Sequence, residues 1–193
     1  MTPLKISMEQ MIVLHSFFAE AMAVSEAGLA EICGSDTEID VLEIRCSNLG
    51  DFAESGLRLS DDMTAAVIGR VEGGMPGSLN LVAEPEDALA WAQMVGAEDP
   101  LETYVALGSE LLTGMTTALA EVLESPTAFC DPRLVEEPEL AVLVKTHAPS
   151  DTLVFSTRLR IEVRDELITA HSHLLVEPKY LSRLLSALSA ASH

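Results

Sequence analysis

The stretch from Asp99 to Pro126 constrains the fold of this chain more than any other, because both of its ends are marked. Asp99-Pro100-Leu101-Glu102 combines an N-cap aspartate, a proline at the first helical position and a glutamate at the third. Ser125-Pro126 stops what those residues start, since the residue before a proline is driven out of helical backbone. The spacing predicts a helix over 100–124, with Leu101, Val105, Gly108, Leu112, Met115, Leu119 and Val122 on one stripe. A stripe of that length has to be laid against another element. The opposite face carries Thr103, Glu110, Thr113, Thr117 and Glu121, and Ala106 and Gly114 keep its surface low.

Around this helix the chain alternates between two periodicities. Residues 7–33 read as a second long helix: Ser7 can cap it, Met11, Leu14, Phe18, Met22, Leu29 and Ile32 recur at helical spacing, and Gly34 stops it. Residues 38–47 alternate Ile39, Val41, Ile44 and Cys46 with polar neighbours, with one irregular step, and read as a strand. The polar segment 48–62 reads as a loop. Strands follow at 63–72 and 77–83, joined by the permissive Gly73-Gly74-Met75-Pro76-Gly77. A short helix over 85–95 opens on Glu84-Pro85-Glu86-Asp87, whose acidic turn suits a helix N-terminus. Strands near 127–135, 139–147, 152–164 and 166–176 come next, the last two split by a tight turn at Arg164-Asp165. An amphipathic helix over 178–190 closes the chain with Leu181, Leu184, Leu185 and Leu188.

Few of the strand links are long enough to hold a crossover helix, so the sheet is expected to be mostly antiparallel. The fold class is α+β: a single domain over 1–193 in which long helices pack on an antiparallel sheet in two layers. The two halves share an outline, a long helix followed by strands and a hairpin, without a residue-level repeat. Hydrophobic residues make up 48% of the chain but aromatics only 4%, so the core is expected to rest on Leu, Val, Ile, Ala and Met.

Charge narrows the partners. Eleven Lys and Arg against 31 Asp and Glu leave a net charge of −20, which opposes nucleic acid and anionic membranes and leaves a protein partner, or no partner, open. No uninterrupted apolar run reaches membrane-spanning length and no basic-then-apolar leader opens the chain, so a soluble cytoplasmic protein is expected. Cys33, Cys46 and Cys130 are odd in number and far apart, the pattern of reduced thiols.

Three stretches, in this order and spacing, resemble the CheC/CheX/FliY family of chemotaxis phosphatases, CheX-like in outline. They are Val67-Ile68-Gly69-Arg70-Val71 through Gly77-Ser78-Leu79-Asn80-Leu81, Ala106-Leu107-Gly108-Ser109-Glu110 through Gly114 and Ala118-Leu119 to Asp131-Pro132-Arg133-Leu134-Val135, and the final hairpin running into Leu175-Val176-Glu177-Pro178. The resemblance covers about 63–190 and implies a domain that docks the phosphorylated receiver domain of a CheY-like response regulator and hydrolyses its aspartyl phosphate. The family signature is Asp or Ser, Glu four residues on, and Asn three further, with a proline some two dozen residues later. An Asn amide can orient water for in-line attack without repelling phosphoryl oxygens, and the Glu can pair with a lysine beside the phosphorylation site.

Two registers fit. Counting back from Pro132 puts Glu110 at the Asn position, Leu107 at the Glu and Thr103 at the Asp or Ser. Setting Glu110 as the family Glu puts Thr113 at the Asn and Ala106 at the Asp or Ser. Neither contains the Asn. Glu110 and Thr113 are the catalytic candidates that the resemblance implies, and Thr103, Glu110, Thr117 and Glu121 the partner-binding ones. The other readings are a non-catalytic scaffold of the flagellar-switch type and a small-molecule sensor with a pocket between sheet and helices. A possible homodimer through exposed edge strands stays open.

Lesser features have plainer readings. Ser16, Glu20 and Ala23 repeat the signature loosely on the first helix, as any Ser- and Glu-rich helix can. His171 and His173 point to one side of a strand, and His147 is the only further ligand in prospect, so half-buried strand histidines are expected and no metal. Trp91 reads as a core anchor. Gly73-Gly74-x-x-Gly77 lacks the Lys-Ser/Thr of a phosphate loop and reads as a turn; no cofactor is implied.

Overall fold

The computed structural model describes residues 6–55, 65–96, 98–136, 148–149 and 151–191. Helix α1 spans Met8–Cys33, and its start is the capping box that the sequence allows: the Ser7 hydroxyl accepts from Gln10 N at 3.2 Å and Gln10 Oε1 accepts from Ser7 N at 2.9 Å. Gly34 ends it in the left-handed region at φ 62°. Strand β1 (Thr37–Asn48) follows, and the irregular step falls as a bulge between Val41 and Glu43. The segment expected to be a loop instead begins with helix α2 (Leu49–Ser55). Leu49 and Phe52 are buried there against Ala66, Val82, Val135, Val154 and Leu175, so two apolar side chains with a sheet face to cover make a helical turn that local polarity hid.

Strands β2 (Ala65–Gly73) and β3 (Gly77–Ala83) form the expected hairpin, followed by α3 (Pro85–Met94) and α4 (Pro100–Val122). The Asp99 carboxylate accepts from Leu101 N and Glu102 N, as the start signal requires. Then come β4 (Thr127–Glu136), β5 (Leu153–Val163), β6 (Glu166–Val176) and α5 (Pro178–Ala191). Arg164 and Asp165 both adopt positive φ, 52° and 68°, which turns β5 into β6 with the handedness a two-residue hairpin needs. The strand expected at 139–147 lies outside the described residues, as does His147.

The sheet order is β1-β5-β6-β3-β2-β4 and every pair is antiparallel. That order reads the same from either end once β1 is exchanged with β4, β2 with β5 and β3 with β6. The halves therefore repeat by position: β1 begins at Thr37 and β4 at Thr127, ninety residues on, each preceded by a long helix and followed by a hairpin and a helix. An outline seen only coarsely in the sequence is a pseudo-two-fold relation in space, with its axis between β3 and β6.

One face of the sheet holds the main core under α1, α3, α4 and α5. The few aromatics are concentrated in the interior: Trp91, Tyr104, Phe17, Phe18, Phe52 and Phe155 are among the largest fully buried side chains. Trp91 meets Tyr104 edge-on at 6.3 Å. The core is thus aliphatic in number but aromatic at its anchor points. Helix α1 has a mean hydropathy of 1.3 over an 18-residue window, enough by length and composition alone to cross a membrane. Leu14, Phe17, Phe18, Ala21, Met22 and Leu29 supply part of that hydropathy by packing into the core, whereas Met8, Ile12, Val24 and Ile32, the last expected on the core stripe, are exposed.

Candidate functional site

Helix α4 does not present a simple two-sided face. Leu101, expected in the core, is 62% exposed, and Val105 and Val122 are half-buried. Tyr104, Leu107, Leu111, Thr116 and Ala118 are buried in addition to Gly108, Leu112, Met115 and Leu119. The reason is that α4 packs on α1 and α3 as well as on the sheet, so its buried arc is wider than one stripe.

The contact with α1 is close and antiparallel. The Ser25 hydroxyl donates across it to the Leu111 carbonyl at 2.9 Å and also to Ala21 O at 3.1 Å. A Cβ added to Gly114 would stand 2.1 Å from Ser25 Oγ and 2.9 Å from Ser25 Cα, so the residue expected to leave an open low surface is where α1 enters. Farther along, a Cβ on Gly28 would stand 1.9 Å from Glu110 Oε1. Glu110 is half-buried and lies over Gly28, on the rim of the seam.

The remaining candidates divide by exposure. Thr113, Thr117 and Glu121 are exposed and Thr103 is half-buried. The Thr117 hydroxyl donates to the Thr113 carbonyl at 3.0 Å and the Thr116 hydroxyl to the same carbonyl at 2.9 Å, so Thr117 is partly committed to its own helix. Neither α1 nor α4 contains a lysine or arginine. Glu110 and Glu121 on α4, and Glu9, Glu20 and Glu31 on α1, therefore give this pair of helices an anionic outer surface.

Position in the repeat relates the two helices residue by residue. Glu20 stands seventeen residues before Thr37 and Glu110 seventeen before Thr127; Ser16 matches Ala106 and Ala23 matches Thr113. The loose Ser16, Glu20, Ala23 pattern thus coincides with the register that sets Glu110 as the family Glu, a signal visible once the strand starts are known. Ser16, Glu20 and Ala23 are all exposed.

The opposite sheet face is polar along one row. Ser156, His173 and Asn80 are cross-strand neighbours on β5, β6 and β3. His173 is buried, its Nδ1 lies 2.9 Å from Ser156 Oγ, and Phe52 packs edge-on at 4.7 Å. Burial, with the neighbouring His171 second, pushes the His173 pKa down to about 3. His171 is half-buried and also lowered, first by burial and then by Arg158. Asn80 is fully buried, and neither of its amide atoms has a hydrogen-bond partner among the described residues. Among the described residues no group of three His, Cys, Asp or Glu side chains could hold a metal ion. A cleft of about 590 Å³ opens on this side, with Ile68, Pro76 and Leu175 among its apolar lining and Arg70, Asp131 and Glu177 among its charged lining. It does not lie between sheet and helices; a smaller depression of about 370 Å³ does, lined by Met11, Ile12, His15 and Ser16 of α1 and Ile44 of β1.

No protein-family model matches the sequence, and no curated protein matches it. Solved structures do match in fold. FliY of Thermotoga maritima superposes with a TM-score of 0.74 at 16% identity, over 97% of this chain and 99% of that one. The FliM middle domain of H. pylori gives 0.64 at 14% identity over 94% and 99%. The FliG–FliM complex of H. pylori gives 0.66 at 15% identity over 94% and 100%. The chain has the CheC/CheX/FliY-type fold, built here as an α+β domain in which six antiparallel strands carry two pseudo-equivalent long helices side by side.

Proposed function

We propose that this chain is a protein-docking domain of the chemotaxis and flagellar-switch kind, which engages the phosphorylated receiver domain of a CheY-like response regulator through the outer face of α4. Thr103, Glu110, Thr113, Thr117 and Glu121 form that face. The observation that carries the reading is the coincidence of Glu20 and Glu110 at one station of the repeat, which supports the register with Glu110 as the family Glu. The absence of lysine and arginine from α1 and α4 supports it, because a glutamate there attracts a basic group on the partner instead of pairing within those two helices.

The same register assigns the water-orienting position to Thr113, and its counterpart to Ala23. A hydroxyl on a short side chain can hold water but reaches less far than an amide, and an alanine holds none. In-line phosphoryl transfer depends on that positioning, so turnover of the aspartyl phosphate is expected to be slow or absent. The protein then acts by recognition, in the cytoplasm where its partner works.

The likeness of fold to FliY and FliM favours a second reading, an assembly module of a switch-like complex without receiver docking. Pairing of two copies edge to edge is disfavoured in either case. The edge strand β1 carries a bulge with Glu38, Asp40 and Glu43, and the other edge strand, β4, carries Pro132 beside Asp131 at φ 54°. The test is the decay of an aspartyl-phosphorylated CheY-like regulator, with and without the protein, alongside a binding titration. Binding without faster decay supports recognition; faster decay lost in Glu110→Ala makes the protein a phosphatase; absence of both leaves the assembly module.

A further inference from the structure

The pseudo-two-fold relation makes a symmetric prediction that the structure breaks at one atom. In the repeat, the contact of Glu110 with Gly28 corresponds to a contact of Glu20 with Ala118, since Gly28 lies nine residues before Thr37 and Ala118 nine before Thr127. The two stations differ in the residue beneath the glutamate. Gly28 has no side chain, and the space where its Cβ would stand is taken by the Glu110 carboxylate: 1.9 Å to Oε1, 2.7 Å to Cδ and 3.0 Å to Cγ. Ala118 has a methyl group there and is buried, at 6% exposure. The burial of the two glutamates follows this difference, for Glu110 is half-buried and Glu20 exposed.

From this we infer that the chain has one working docking station and not two, and that Gly28 is the positioning residue that seats Glu110. The inference rests on the docking reading above and adds its stoichiometry. A carboxylate lying in a bare notch between two helices has fewer rotamers to lose when a cationic partner meets it. Glu20, whose counterpart position opposite is Ala118 and not a glycine, is exposed, and an exposed ion pair formed by it contributes little. Thr113, which can hold a water molecule, belongs to the seated station, whereas Ala23 belongs to the exposed one. The α1 copy of the motif therefore lacks both the seat and the polar companion.

The experiment is a calorimetric titration of the full chain with a beryllium-fluoride-activated CheY-like receiver domain, comparing wild type with Gly28→Ala, Glu110→Lys and Glu20→Lys. One receiver per chain is expected. Glu110→Lys abolishes binding and Glu20→Lys leaves affinity and stoichiometry unchanged. Gly28→Ala weakens binding roughly tenfold, the scale of a displaced charge-assisted contact, with no loss in melting temperature. The melting temperature holds because the carboxylate can swing away and alanine is the better helix former. Two receivers per chain, or equal damage from Glu20→Lys and Glu110→Lys, overturns the single station while leaving docking itself intact. Unchanged affinity in Gly28→Ala overturns the seating, as does a crystal structure of that variant with the Glu110 carboxylate unmoved. No binding by the wild type ends the docking reading, and this inference with it.

Discussion

Replacing Gly114 with alanine tests how the two long helices are held together, and its outcome can be worked from the seam. The new Cβ would fall 2.1 Å from Ser25 Oγ and 2.9 Å from Ser25 Cα, so rotating one side chain does not clear it and the helices must part. Overpacking of this kind costs about 1–3 kcal/mol. Parting also stretches the bond from Ser25 Oγ to Leu111 O, now 2.9 Å, whose net contribution is about 1 kcal/mol. Against this, alanine gains about 1 kcal/mol over glycine in helix propensity. Gly114→Ala is therefore expected to destabilise by about 1–3 kcal/mol. Ser25→Gly alone loses the hydrogen bond and some propensity, about 1–2 kcal/mol. The double variant moves the Cβ from one helix to the other and removes the contacts with Ser25 Oγ at 2.1 Å and Ser25 Cβ at 2.9 Å, leaving only the 2.9 Å approach to the Cα of residue 25. It should be more stable than the sum of the single effects by about 1–2 kcal/mol. Urea unfolding midpoints, at constant slope, measure all four corners of the cycle. Strict additivity, or a Gly114→Ala variant stabilised by its propensity gain alone, would refute the claim that the helices touch backbone to backbone here.

Two further outcomes concern the frame around the site. Arg164, at the β5–β6 turn, donates to Met94 O at 2.8 Å and Cys33 O at 2.6 Å, closing the C-terminal ends of α3 and α1 together. Arg164→Ala should cost about 1–2 kcal/mol in chemical unfolding, and Arg164→Lys should recover only part because one ammonium cannot reach both carbonyls in the same fork geometry; a silent Arg164→Ala would mean that solvent caps those helices equally well. His173 makes stability depend on pH. It stays neutral in the fold down to about pH 3, whereas the unfolded side chain takes up a proton near 6.5. Its contribution is thus complete above about pH 6.5 and is lost as pH falls toward 3, at a limiting slope of about 1.4 kcal/mol per pH unit. In His173→Leu that part of the slope between pH 6 and 4 should vanish; an unchanged slope would show that carboxylates alone govern acid unfolding.

How much of this was written in the sequence depends on the range over which each signal acts. Helix ends were legible because caps act within a turn: Ser7 with Gln10, Asp99 with Leu101 and Glu102, and Gly34 at positive φ occupy the places their chemistry demands. The six described strands and their antiparallel sheet were legible for the same reason, through alternation and short links. Glu110 and Thr113 were legible as candidates, but the choice between two registers was not, since neither contains the Asn that would have anchored it.

What only the tertiary structure decided involves residues far apart in the chain. Helix α2 forms because Leu49 and Phe52 meet a sheet face assembled from β2, β3, β4, β5 and β6, a surface that no local window contains. Leu101 lies outside and Tyr104 inside because α4 packs on α1, α3 and α5 as well as on the sheet, and a hydrophobic stripe records the presence of a partner but not the number. Gly28 and Gly114 look alike in the sequence, as small residues on helices. Only the antiparallel crossing of α1 and α4 makes one of them a seat for Glu110 and the other a point of entry for Ser25, because the absence of a methyl group acquires meaning from the atom that fills its place.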